Sequence, residues 1–147
     1  PEQAAPLWDK INAMEYHFAS LAKPMPGVYE LLEHLQAEGV NLGILTRNVM
    51  PVALETLKAC HLDGFFKTRD ILDRDSCTPK PHPAGIELLL QQWGADACDS
   101  VMVGDYLFDL QAGKAAKVAT VHINTLAQHP WPEMTDWGIH NLHQLMG

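Results

Sequence analysis

The sequence predicts an α/β fold, a Rossmann-like doubly wound parallel sheet with helices on both faces. Three observations point to it. Short apolar runs alternate three or four times with stretches of helical periodicity, the pattern of a parallel sheet wrapped by helices. The strand candidates are continuous apolar runs, as expected when both faces of a strand are covered. Each run ends in chemically capable residues, at the strand ends where open α/β sheets bind ligands. A chain of 147 residues is long enough for one domain with its own core.

The elements follow in order. Leu7, Trp8, Ile11, Met14, Phe18 and Leu21 recur at helical spacing, so roughly 6–22 forms an amphipathic helix. Lys23-Pro24-Met25-Pro26-Gly27 stops it. Val28, Leu31, Leu32 and Leu35 mark a second helix, closed by Gly39 just past its end. The run 40–45 is of strand type, and 49–60 is helical with Pro51 in its first turn. Residues 65–71 form a weaker strand or two short ones, and 73–82 is a loop. A helix over 83–93 ends at Gly94, followed by a buried strand at 100–104, a helix at 107–115 and a strand at 118–123. The tail from Asn124 holds Pro130 and Pro132 and closes in a short helix. There is no internal repeat.

Ten Lys and Arg against eighteen Asp and Glu give a formal net charge of −8. Such a surface repels nucleic acid and anionic membrane, so neither is expected as a partner. No apolar run approaches the roughly 20 residues of a membrane-spanning helix. Pro1-Glu2-Gln3-Ala4-Ala5-Pro6 carries no signal-peptide pattern and no initiator Met, so a processed or trimmed piece is expected. Cys60, Cys77 and Cys98 are odd in number and form no C-x-x-C pair. Reduced thiols in a cytoplasmic protein are the expectation.

Each strand ends in something chemical. The first ends Leu45-Thr46-Arg47-Asn48. A hydroxyl at a strand terminus, with backbone N–H groups opening a helix behind it, suits a phosphoryl group. On position alone, capping the helix is the commoner use of such residues. The second feature is Lys80-Pro81-His82-Pro83 before a helix. A Lys there offers a point charge to a phosphate, and the flanking prolines stiffen its backbone. The third is Gly104-Asp105 with Asp109 four residues on. Hard divalent cations take oxygen ligands of this kind, and Gly104 allows close backbone approach. The plainer role for Asp109 is to complement a helix N-terminus.

In the order Thr, Lys-Pro, Gly-Asp-x-x-x-Asp, these features resemble the haloacid dehalogenase superfamily of phosphohydrolases, in its phosphoglycolate phosphatase and β-phosphoglucomutase branch. Gly43-Ile44-Leu45-Thr46-Arg47-Asn48 resembles the second motif of that family. Lys80-Pro81-His82-Pro83 resembles the third, and Val103-Gly104-Asp105-Tyr106-Leu107-Phe108-Asp109 the fourth. The resemblance covers about 24–125. It implies a Mg²⁺-dependent phosphatase acting on a small phosphorylated metabolite through an aspartyl-phosphate. Thr46 would hydrogen-bond the transferring phosphoryl group, Lys80 would neutralise its charge, and Asp105 would ligate Mg²⁺. Asp109 would be a ligand or a partner of one. Arg47 stands where the family commonly has Asn, and Asn48 or the backbone would take over that substrate contact.

The family's first motif, an apolar strand ending Asp-x-Asp-Gly-Thr, is absent. The sole Asp-x-Asp is Asp73-Arg74-Asp75, which reads as loop because Ser76-Cys77-Thr78-Pro79 follows it. Without an activated carboxylate no phosphoaspartyl intermediate forms, and without the central strand two interior edges lie open. Residues 1–23 are therefore expected to be the end of a helical cap or linker. Residues 24–147 would be a core domain lacking its first strand, with the nucleophile upstream and this chain alone inactive.

Three alternatives carry other predictions. A phospho-acceptor receiver domain uses similar residues, but its acidic pair comes first in the chain. A catalytically inactive phosphatase-like binding module suits the missing nucleophile but not the retained Thr46, Lys80, Asp105 and Asp109. A phosphomutase of the same family differs in residues outside this chain. His140-x-x-His143 reads as surface or packing histidines, since no Cys or acidic cluster joins it. Trp131, between two prolines, reads as a packed loop aromatic or as part of the cleft edge.

Overall fold

A computed structural model describes residues 4–146 and arranges five strands in two parallel sheets among them. β1 (Ile44–Leu45) pairs with β2 (Ile71–Leu72), Ile44 opposite Ile71. β3 (Val101–Gly104), β4 (Ala119–Ile123) and β5 (Trp137–Ile139) form the second sheet with β4 in the middle. Parallel neighbours need a crossover. α3 (Met50–Ala59) lies between β1 and β2, and α5 (Leu107–Ala115) between β3 and β4. α1 (Ala4–Ser20), α2 (Val28–Ala37) and α4 (Ala84–Trp93) complete the helices.

The expected single sheet is thus two. One edge of β1 and one edge of β3 have no strand partner among the described residues. The anticipated strand over 40–45 shortens to Ile44–Leu45, since only its last two residues meet a ladder partner. The anticipated strand over 65–71 is instead two 3₁₀ turns, Asp63–Phe65 and Thr68–Asp70, leading into β2. Its aromatics serve packing rather than pairing: Phe65 and Phe66 lie against the core beneath α2 and α3. Asp70 accepts the indole N–H of Trp93 at 3.0 Å, which fixes the second turn on α4. β5 escapes sequence reading because Trp137-Gly138-Ile139 is too short to show a period of two.

Helix ends follow local chemistry. Gly39 has φ +75° and lets the last carbonyls of α2 pair: Gly39 N donates to Gln36 O and Val40 N to Leu35 O. This is the left-handed stop that the sequence predicts. α2 joins the two halves of the core through consecutive residues. Leu32 packs with Ala53, Leu57 and Ile71, while Leu31 packs with Val121, Ile123 and Ile139. Burying a Leu contributes about 2 to 3 kcal/mol, so α2 couples the two sheets through its side chains where no strand does.

Two apolar surfaces stay open. Val101 and Val103 of β3 are 56% and 39% exposed, where a buried strand was expected. Leu7, Met14, Phe18 and Leu21 on or just beyond α1 are all more than half exposed. The side chain of Trp8 lies outside the described residues. Burial raises the thiol pKa of Cys60 and of Cys77, while Cys98 is exposed; all three are free. No described helix is long and apolar enough to cross a membrane.

Candidate active site

The carboxyl ends of β1 and β3 bring the sequence-predicted residues to one place, and Lys80 is the link. Its ammonium donates to the main-chain oxygen of Leu45, the last residue of β1, at 3.1 Å. It also donates to Asp109 Oδ1 at 2.6 Å. Both ends of that ion pair are nearly buried, at 14% and 10% exposure of the side chains. In such surroundings each charge needs the other. His82 does not join the cluster; its Nδ1 accepts the amide of Ala84 at 3.1 Å at the start of α4.

Asp109 uses both oxygens. Oδ2 accepts the amides of Asp105 and Tyr106, each at 3.2 Å, closing the turn into α5. The turn is tight enough to require glycine before it. A Cβ on Gly104 would lie 2.2 Å from the Cβ of Asp109. Asp105 differs: it is exposed, and its carboxylate takes no hydrogen bond or ion pair among the described residues. One carboxylate therefore holds the loop, and the other is free to take a hard cation. An open, hard oxygen donor suits a hard divalent cation better than it suits a soft metal.

On the β1 side, Thr46 N donates to Leu72 O at 3.0 Å and carries the pairing one residue past β1. Its Oγ1 accepts the amide of Asn48 at 3.1 Å. The hydroxyl proton is left to point elsewhere. The Asn48 amide is thereby used, and its carbonyl accepts Arg74 N at 3.2 Å. Asn48 and Arg47 are exposed, and the Arg47 guanidinium lies 5.3 Å from the centroid of Phe108, within the cation–π range. Arg47 therefore ties the loop after β1 to the first turn of α5. A crevice of about 10 Å³ separates Thr46 from Lys80, room for about one water. A larger hollow of about 520 Å³ lies between α1 and the start of α3, lined by Ala13, Tyr16, Met50 and Asp73 among others, and none of Thr46, Lys80 or Asp105 reaches it.

Sequence reasoning missed Asp73. It lies in a loop, as predicted, but its Oδ2 accepts Met50 N at 3.0 Å at the first turn of α3. Its Oδ1 accepts Asp75 N and the Ser76 hydroxyl. Burial alone would raise the carboxyl pKa; these donors outweigh it and hold the group below the usual range. The Asp-x-Asp spacing was visible, but the partner 23 residues away was not. His140 and His143 are exposed, and the His143 ring packs on Gly27, in agreement with the packing reading. Trp131 packs edge-on against Tyr106 and His122 beside the β3 loop.

Residues 2–123 match the family described as haloacid dehalogenase-like hydrolase. The pyrophosphatase PpaX of Halalkalibacterium halodurans is 36% identical over 104 residues, 71% of this chain and 48% of the relative. The chain thus spans about half the length of the curated relatives it matches. A structure described as a predicted phosphoglycolate phosphatase from Haemophilus somnus aligns with a TM-score of 0.75 at 26% identity, over 83% of this chain and 55% of that one. The phosphate complex of CbbY from Rhodobacter sphaeroides aligns at 0.80 over 95% of this chain and 66% of that one; at 21% identity it speaks for the fold.

Proposed function

We propose, from the premise that this chain belongs to the haloacid dehalogenase-like hydrolase family, that it is the larger part of the core of a Mg²⁺-dependent phosphatase for a small phosphorylated metabolite. The observation that carries the reading is the convergence of Thr46, Lys80, Asp105 and Asp109 at the carboxyl ends of β1 and β3. A receiver domain uses similar residues but has its acidic pair first in the chain, and an inert module has no need of this set. The similarity to pyrophosphatases and to a phosphoglycolate phosphatase supports phosphoryl transfer to water.

In this reading each residue has one task. Thr46, whose oxygen already accepts from Asn48, donates its free proton to a phosphoryl oxygen. Lys80 draws the phosphoryl charge toward the end of β1 while Asp109 holds its ammonium in place. Asp105 ligates Mg²⁺, and Asp109 serves it as the loop's anchor rather than as a ligand, since both of its oxygens are engaged. A bound Mg²⁺ would supply charge neutralisation for the phosphoryl oxygens. Electrostatic clamping of this kind is commonly the largest contribution to phosphoryl-transfer rates. The nucleophilic Asp is assigned to a segment upstream of residue 1, on a strand that would fit between the open edges of β1 and β3.

Phosphate release from a panel of small phosphate esters and pyrophosphate, measured with and without Mg²⁺ on a polypeptide carrying that segment, tests the reading. Asp105→Ala is expected to remove Mg²⁺-dependent turnover, at least a hundredfold. Full activity in that variant would sink the metal assignment.

A further inference from the structure

His122 lies on β4 opposite Gly104 of β3 and is fully buried. A buried imidazole has to pair its nitrogens, and His122 does so on both sides. Nε2 is 3.1 Å from the main-chain oxygen of Asp105. Nδ1 is 2.8 Å from Nδ1 of His129. Partner chemistry assigns the protons. A carbonyl only accepts, so Nε2 of His122 carries hydrogen and donates. In the neutral ring Nδ1 then accepts, and His129 must donate from its own Nδ1. His129 comes from the loop after β4, and its ring packs on Gly138 of β5, where an added Cβ would fall within 2.7 Å of it. Trp131 covers His122 with ring centroids 5.3 Å apart.

We infer that His122, oriented by His129, is a positioning residue that fixes the Asp105 peptide and so aims the Asp105 carboxylate at its cation. The inference rests on the reading of Asp105 as the Mg²⁺ ligand. Asp105 is held at both ends: its amide donates to Asp109 Oδ2 at 3.2 Å, and its carbonyl accepts from His122. Its exposed side chain has no tether of its own among the described residues, so the two backbone bonds decide where it points. Partners one step behind a metal ligand commonly change metal affinity by about 10- to 100-fold when lost. The brace also runs outward through His129 to β5, tying the geometry of the β3 loop to the tail of the chain.

The test exploits side-chain stereochemistry. A Gln amide nitrogen stands near the place of Nε2, and an Asn amide nitrogen near the place of Nδ1. His122→Gln therefore keeps the donor to Asp105, and His122→Asn loses it. Mg²⁺ affinity of the full chain is measured by titration calorimetry beside the melting temperature of each variant. The expected result is about tenfold weaker binding by His122→Asn than by His122→Gln at similar melting temperatures. Equal affinities in the two variants would overturn the brace. At the partly buried partner, His129→Asn keeps the donor and His129→Gln does not, so the same split is expected in the reverse order of residues even where the buried position fails to fold. Imidazole ¹⁵N shifts give a metal-free readout: protonated Nε2 in His122 and protonated Nδ1 in His129. The opposite pattern overturns the inference. Asp105→Asn separates the two readings. Mg²⁺ binding unaffected by it, or absent from the unsubstituted chain, defeats the metal assignment and the brace with it. Binding that depends on Asp105 but not on His122 defeats the brace alone.

Discussion

At the scale of residues, Asp73 shows how much an acidic side chain in a loop can organise. It accepts the first-turn amide of α3, a neighbouring amide and a hydroxyl at once. Replacing a capping carboxylate costs about 0.5 to 2 kcal/mol, so Asp73→Ala is expected to lower the stability by that much in chemical denaturation. The pH dependence follows from the lowered carboxyl pKa. The folded pKa is below the unfolded value of about 3.9. The contribution is therefore present above the unfolded value and lost as pH falls through the folded one. Asp73→Asn should flatten the acid limb of a melting-temperature profile below about pH 4, and an unchanged limb would remove Asp73 from the account. Lys80, Asp105 and Asp109 were legible in the sequence because prolines bracket the first and Gly104, at the end of β3, precedes the acidic pair. Their pairing was not, since Lys80 and Asp109 are 29 residues apart and meet only through the fold. His122 gave no signal at all: a His inside an apolar run looks like a tolerated core residue until its partners are placed.

At the scale of elements, the turn from β3 into α5 carries the most constraint per residue. Gly104 has no positive φ to justify it; the close approach of Asp109 does. Gly104→Ala sets a Cβ 2.2 Å from the Cβ of Asp109, and the neighbour is the rigid stem of a side chain, not its free end. The first turn of α5 must move, which breaks the bonds of Asp109 to Asp105 N and Tyr106 N and shifts its contact with Lys80. Overpacking of this kind typically costs about 1 to 3 kcal/mol, and the expected loss of Mg²⁺ affinity should exceed that of a stability-matched variant elsewhere. Melting and titration of Gly104→Ala check both. Helices were the legible elements, because ten residues of apolar periodicity ended by glycine leave few alternatives. Strands of two or three residues were not, because pairing defines them and pairing is not local.

At the scale of the whole molecule, the open edges of β1 and β3 are what the proposed upstream strand would pair with. β4 is paired on both sides, β1 and β3 on one side each. Val101 and Val103, apolar and β-branched, face outward from a strand whose sequence suits burial. Lys80 already spans from the end of β1 to the first turn of α5, which follows β3, so the two carboxyl ends are held in register by an ion pair and α2 rather than by a ladder. An unpaired apolar edge is a template for another strand. This arrangement predicts a graded hydrogen exchange, with amides of β4 protected longest and those on β1 and the free edge of β3 exchanging early. It also predicts what a parallel apolar strand ending in Asp would do if supplied as part of a longer polypeptide. Exchange at β1 and β3 should slow to the rate of β4, the melting temperature should rise, and Mg²⁺-dependent phosphate release should appear where the 147-residue chain gives none. Turnover by the chain alone would show that the attacking group is already within it. Slow exchange at both edges without the added strand would show that they are closed by some other means. Either result would separate the fold's need for a central strand from the chemistry's need for its carboxylate, which the present reading joins in one segment.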